Sequence, residues 1–194
     1  MKLKRITVFC ASSRMIDRKY FEAAKQLADV LSENHITAIY GGGAVGLMGT
    51  LADQMLKAGG HITGVIPQFM MKVEWGHPGV TEMIVTKDMH ERKKLLINNV
   101  DAVVALPGGS GTLEELLEVI SLKRLGKFIK PVIIINTAGF YDSLVSLLNK
   151  MVEENFMRQE HLNMWKIINN PDELINAIYT SESWSEDAIN TAGV

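Results

Sequence analysis

DAVVALPGGSGTLEELLEVI, residues 101–120, changes period halfway along its length. DAVVAL (101–106) is apolar on both faces, as in a strand buried inside a parallel sheet. Beyond PGGSG, Leu113, Leu116, Leu117 and Ile120 recur every three or four residues, which is the stripe of a helix lying on that sheet. The same alternation extends in both directions. RITVFC (5–10), HITAIY (35–40), HITGVI (61–66), TEMIVT (81–86) and PVIIIN (131–136) read as further strands, and KIIN near 166 as a shorter one. Phe21, Ala24, Ala28 and Leu31 form a second helical stripe, and Leu144, Leu147, Leu148 and Met151 a third. Short apolar runs alternating with helical segments define the α/β class, here a Rossmann-like open, mostly parallel sheet with helices on both faces.

A chain of 194 residues with 47% hydrophobic content buries the core of one domain, expected over residues 1–180. The polar run SESWSEDAINTAGV, 181–194, predicts a mobile tail. Twenty basic and 22 acidic residues are spread along the chain for a formal net charge of −2, so no basic face addresses nucleic acid or anionic lipid. No run is long enough to span a membrane. The opening MKLKRITVFC lacks the apolar stretch and cleavage site of a signal peptide, and the single Cys10 excludes an internal disulfide framework. A cytoplasmic protein is expected.

In an open parallel sheet, ligands bind beyond the carboxyl ends of the strands. Four segments lie there: CASSR, GGGAVGLMG, KDMHERKK and PGGSGTLEE. Gly41, Gly43 and Gly46 satisfy the dinucleotide spacing GxGxxG, but the next strand ends GVIPQ and lacks the acidic residue that would hold a ribose. Neither glycine segment carries the Gly-Lys-Ser/Thr ending of an ATP or GTP phosphate loop. What remains is backbone N–H groups and positive helix ends that approach a phosphate closely, or else tight turn packing.

Thr112 and Glu115 have the spacing of a capping box, Thr112 accepting from a helix N–H and Glu115 reaching back. The preceding PGGSG offers a second role, because an anion held there lies about one turn from Glu115, where a general base or an ion-stabilising carboxylate belongs. Glu114 points about 100° away, toward solvent. Asp88 can cap the helix that carries Met89, Arg92 and Lys93, and two cations near a helix start are offset by a phosphate or carboxylate. The five histidines form no close ligand cluster, so no metal site is expected. Cys10, with Ser12 and Ser13 after it, has no assignable base and reads as strand-end packing.

These segments carry a resemblance. PGGSGTLEE fits PGGxGTxxE, DMHERK fits MHxRK, and GGGAVGLMG matches the second glycine segment of the Lonely Guy family, nucleotide phosphoribohydrolases that activate cytokinins and that older labels call lysine decarboxylases. Three motifs in the right order, within a match from about Arg5 to Tyr179, make the resemblance specific. It implies a nucleotide-binding domain without a cofactor, and hydrolysis of the N-glycosidic bond of AMP or an N6-prenylated AMP to free base and ribose 5-phosphate. It implies Arg92 and Glu115 as the catalytic pair, and Glu74, Met89, Lys93, Gly108, Gly109, Ser110, Gly111, Thr112 and Ser121 as substrate contacts. Ser121 stands for the family's usual Thr, and Ala11 for the Gly of CGSS. The resemblance further implies a homodimer or an assembly of dimers, with a prenyl or base pocket near the subunit boundary; in the sequence itself Met70, Met71, Met83 and Met89 offer either an adaptable apolar surface around the site or ordinary core packing. No residue identifies a pyridoxal-binding lysine, and the rival reading is a non-catalytic carrier of a phosphorylated ligand.

Overall fold

A computed structural model describes residues 2–71 and 76–191. Seven strands form one sheet: β1 (Arg5–Phe9), β2 (Thr37–Tyr40), β3 (Ile62–Pro67), β4 (Glu82–Thr86), β5 (Ala102–Ala105), β6 (Val132–Ile135) and β7 (Lys166–Ile168). Every pairing is parallel, in the order β4-β3-β2-β1-β5-β6-β7. All seven runs read as strands are strands, six of them shorter by a residue or two and β3 shifted by one residue at the same length. The chain winds outward from β1 to β4, then returns to lay β5 beside β1 in the register Val8↔Val104 and Phe9↔Ala105. The carboxyl ends of β1 and β5 therefore diverge into loops of opposite direction, the position where open α/β sheets form a crevice.

Helices cover both faces. On one lie α1 (Arg18–Glu33), α2 (Gly46–Lys57) and α6 (Leu174–Tyr179); on the other lie α3 (Met89–Ile97), α4 (Ser110–Arg124) and α5 (Asp142–Glu153). Strand alternation divides the core: Ile133 and Ile135 join the first layer with Ala24, Leu27 and Leu51, while Ile134 joins the second with Leu116, Val119 and Leu148. β4 is an edge strand and keeps Val85 half exposed.

Two stripe residues depart from expectation. The stripes place Leu117 and Leu147 toward the sheet, but they are 38% and 52% exposed and look outward between α4 and α5. A stripe four residues wide is broader than the face a short strand layer covers, so its margin turns to solvent. Beyond Ser181, the indole of Trp184 donates to the Lys123 carbonyl at 2.6 Å, which ties part of the segment read as a tail to the end of α4.

Candidate active site

The crevice between β1 and β5 is a cavity of about 320 Å³, at the lower end of the usual range for small-molecule sites. Its floor is the end of β1 with Cys10. One wall is Ser12, Ser13 and Met48, the opposite wall is the start of α4, and Met70, Met89, Arg92 and Gly41 complete it. Gly109, Ser110, Gly111 and Thr112 line it together with Glu114 and Glu115.

The start of α4 corrects the capping-box reading. The cap is Gly109, not Thr112, and as a glycine it makes no side-chain cap. Thr112 sits at the third helical position, buried beneath Gly108, where a Cβ would lie 2.1 Å from the Thr112 hydroxyl. Gly108 is thus required by close packing, and the first N–H groups of α4 face the cavity with the positive end of the helix behind them. Glu115 is released from capping and turns to α3.

Asp88 caps α3 as expected, accepting from Glu91 N at 2.8 Å. One turn on, Arg92 is only 6% exposed. Its Nε donates to the Val65 carbonyl at 3.1 Å, and its Nη1 donates to Glu115 Oε1 at 2.6 Å. Gly41 backs the guanidinium so closely that a Cβ there would lie 2.6 Å from Arg92 Nη2. An ion pair whose side chains are 8% and 12% exposed loses much of its Coulombic gain to desolvation, so stability alone does not explain its place on a cavity wall. A fixed carboxylate beside a fixed guanidinium can stabilise positive charge, orient water and grip anionic oxygens.

The remaining assigned residues divide. Met89 lines the cavity. Lys93 is directed away from it: its ammonium pairs with Glu114 at 2.7 Å and Glu118 at 3.2 Å, joining α3 to α4, and the Glu114 hydrogen bond above all raises its pKa. Glu114 is half exposed at 52% yet engaged, not free in solvent. Ser121 donates to the Leu117 carbonyl at 2.7 Å and lines a separate groove between α4 and α5. Glu74 lies outside the described residues. Met70 lines the cavity, whereas the sulfur of Met83 packs against Gly64 and Gly42 and that of Met71 against Gly76. Ser12, Ser13 and Gly41 also line the cavity, which the motifs do not single out. Their signal was positional, since each follows the end of a strand beside the crossing point. Among the described residues no lysine lines the cavity and no group of three metal-ligating side chains occurs.

A parallel sheet whose reversal point carries a glycine-rich helix start defines a nucleotide-binding α/β protein of the Rossmann-like class. Solved structures agree on the fold: molybdenum cofactor carrier or binding proteins from Chlamydomonas reinhardtii and Rippkaea orientalis superpose with TM-scores of 0.68, at 18% and 24% identity, over 92% and 93% of this chain and 98% and 99% of theirs. A family model described as "Possible lysine decarboxylase" matches residues 48–178. Two Arabidopsis thaliana cytokinin riboside 5′-monophosphate phosphoribohydrolases are more similar in sequence. LOG1 is 46% identical over 80% of this chain and 73% of its own, and LOG5 is 39% identical over 91% and 78%. The chain belongs to this family, the Lonely Guy family.

Proposed function

We propose that the protein hydrolyses the N-glycosidic bond of AMP or of N6-substituted, cytokinin-type nucleoside 5′-monophosphates, adding water across the bond to give free base and ribose 5-phosphate. The observation that carries this reading is the buried Arg92–Glu115 pair, 2.6 Å apart on the wall of a cavity that opens onto the start of α4. The 5′-phosphate is held by the N–H groups of Ser110, Gly111 and Thr112 at the positive end of the helix. As the bond breaks, positive charge grows on the ribose and negative charge on the base. Glu115 stabilises the sugar cation and orients the attacking water, while Arg92 holds Glu115 in place and offers its remaining N–H groups to ribose or phosphate oxygens. The reaction as written needs only substrate and water. Incubation of the protein with AMP, read by chromatography, releases free adenine; retention of intact AMP under conditions where it binds would favour a carrier instead.

The working form in this reading is a homodimer. Leu117, Leu147 and Phe156 are 38%, 52% and 72% exposed around a groove of about 610 Å³ that also holds Ser121. Contiguous apolar surface of this kind is uncommon on a monomer. A second copy seated there brings Ser121 close to the subunit boundary. Light scattering gives twice the chain mass, and Leu147→Asp, which puts a charge in the boundary, shifts it to one chain. No helix among the described residues is long and apolar enough to cross a membrane, and the protein is taken to act in the cytoplasm.

A further inference from the structure

The connection from β3 to β4 returns toward the sheet at Gly76 and His77. Gly76 forms an antiparallel bridge with Gly43, and His77 N donates to the Gly42 carbonyl at 2.9 Å. The His77 ring is buried, 9% exposed, although it lies outside the cavity. Its Nδ1 accepts from Gly79 N at 3.2 Å, which places the ring proton on Nε2, and Nε2 stands 3.0 Å from Asp53 Oδ1 on α2. The ring therefore fastens its own turn at one nitrogen and α2 at the other.

What lies behind this fastening is the guanidinium of Arg92. Gly42 adopts a φ of +83° and packs against Ile66 and Met83, and Gly41, one residue earlier, backs Arg92 Nη2 without room for a Cβ. Arg92 is thereby confined between three fixed groups: the Val65 carbonyl, the Gly41 backbone and Glu115. Two of these are local to β3 and α4. The third, the turn at residues 41–43, is held from outside by His77. We propose that His77 is a positioning residue, which sets the turn against which Arg92 lies and so sets the reach of Arg92 to Glu115.

The inference rests on the proposed function only for its kinetic consequence. A displacement well under 1 Å in a catalytic pair costs on the order of tenfold in turnover, so His77→Ala lowers kcat on AMP about tenfold with a smaller change in KM. His77→Gln keeps an N–H donor for Asp53 and restores most of the lost kcat, while His77→Asn, which keeps only the acceptor for Gly79, restores less. Equal kcat in all three variants and the wild type, or losses that follow Tm alone, would overturn the proposal. A readout independent of activity separates it from the reading above: the Arg92 Nε–H signal in a ¹⁵N–¹H spectrum, identified by its disappearance in Arg92→Lys. That signal moves in His77→Ala and returns toward its wild-type position in His77→Gln. If the wild type leaves AMP intact and the signal moves as stated, the hydrolase reading fails and the positioning role stands. If the signal is unmoved in His77→Ala, the positioning role fails whatever the activity.

Discussion

The two ends of α4 are built for opposite purposes. At the C-terminal end the chain itself supplies the partners. The Lys123 side chain is buried and donates to the Lys130 carbonyl at 2.7 Å, and its own carbonyl accepts from the Trp184 indole. Gly126, at a φ of +67°, then turns the chain, with the Glu186 carbonyl packed where a side chain would stand. At the N-terminal end the cap is a glycine, which has no side chain to offer the first N–H groups, and the nearby carboxylate of Glu115 is held by Arg92 of another helix. A helix end closed by its own chain is a stable terminus; an end left to face a cavity is a site for an anion. The difference within one helix separates residues kept for packing from residues free to act on a ligand.

The largest expected effect tests the open end. If the start of α4 binds phosphate, adenosine lacks two or more charge-assisted contacts, each worth roughly 1.5–3 kcal/mol, and its kcat/KM falls below that of AMP by about two to four powers of ten. Equal efficiency on the two substrates would break the comparison at once. Next in size, Glu115→Gln keeps shape and hydrogen bonding but removes the anion, so kcat drops about 10²-fold or more. Although Glu115 is not the cap of α4, Gln leaves the buried Arg92 guanidinium without its carboxylate, so that variant also loses about 3–5 kcal/mol of unfolding free energy. A folded Gln variant with near-normal turnover would take Glu115 out of the chemistry.

The closed end answers to stability instead. Burial lowers the Lys123 pKa from its ordinary 10.5 to about 8. Between those values the unfolded chain binds a proton that the folded chain does not, so stability rises with pH through that window. Against Lys123→Met, which has no proton to exchange, the wild type gains up to roughly 3 kcal/mol between about pH 7 and pH 11, measured by denaturant unfolding. A constant difference would show that the amine has the same pKa in the folded and the unfolded chain. The smallest effect is that of Trp184→Ala, which removes one hydrogen bond and a half-buried ring. It lowers unfolding free energy by about 1–2 kcal/mol and leaves kcat and KM on AMP unchanged. A loss of turnover there would join the two ends of the helix in function.

Much of this was legible in order along the chain. Residues 101–120 gave a strand, a turn and a helix because a buried strand and an amphipathic helix leave different periods in the sequence, and Asp88 announced the start of α3 by its residue type alone. Thr112 misled for a local reason. A Thr three residues before a Glu has the same spacing at the cap as inside the first turn, and only the backbone of Gly109 shows that α4 begins earlier. Lys93 misled for a tertiary one, since its neighbours Glu114 and Glu118 lie more than twenty residues away on another helix.

The sequence by itself determined the α/β class, the positions of the seven strands, the glycine-rich helix start and, through its motifs, the candidacy of Arg92 and Glu115. Period, turn chemistry and spacing are properties of neighbouring residues, and they survive in one dimension. Only the tertiary structure decided that β5 lies beside β1, that the crevice opens there, that Arg92 reaches Glu115 and Lys93 does not enter the cavity, and that His77 stands behind the turn that backs Arg92. Those relations depend on which strands pair and on where long side chains point once helices pack across the sheet. Contacts between residues distant in the chain are fixed by burial and steric fit, which no local pattern encodes.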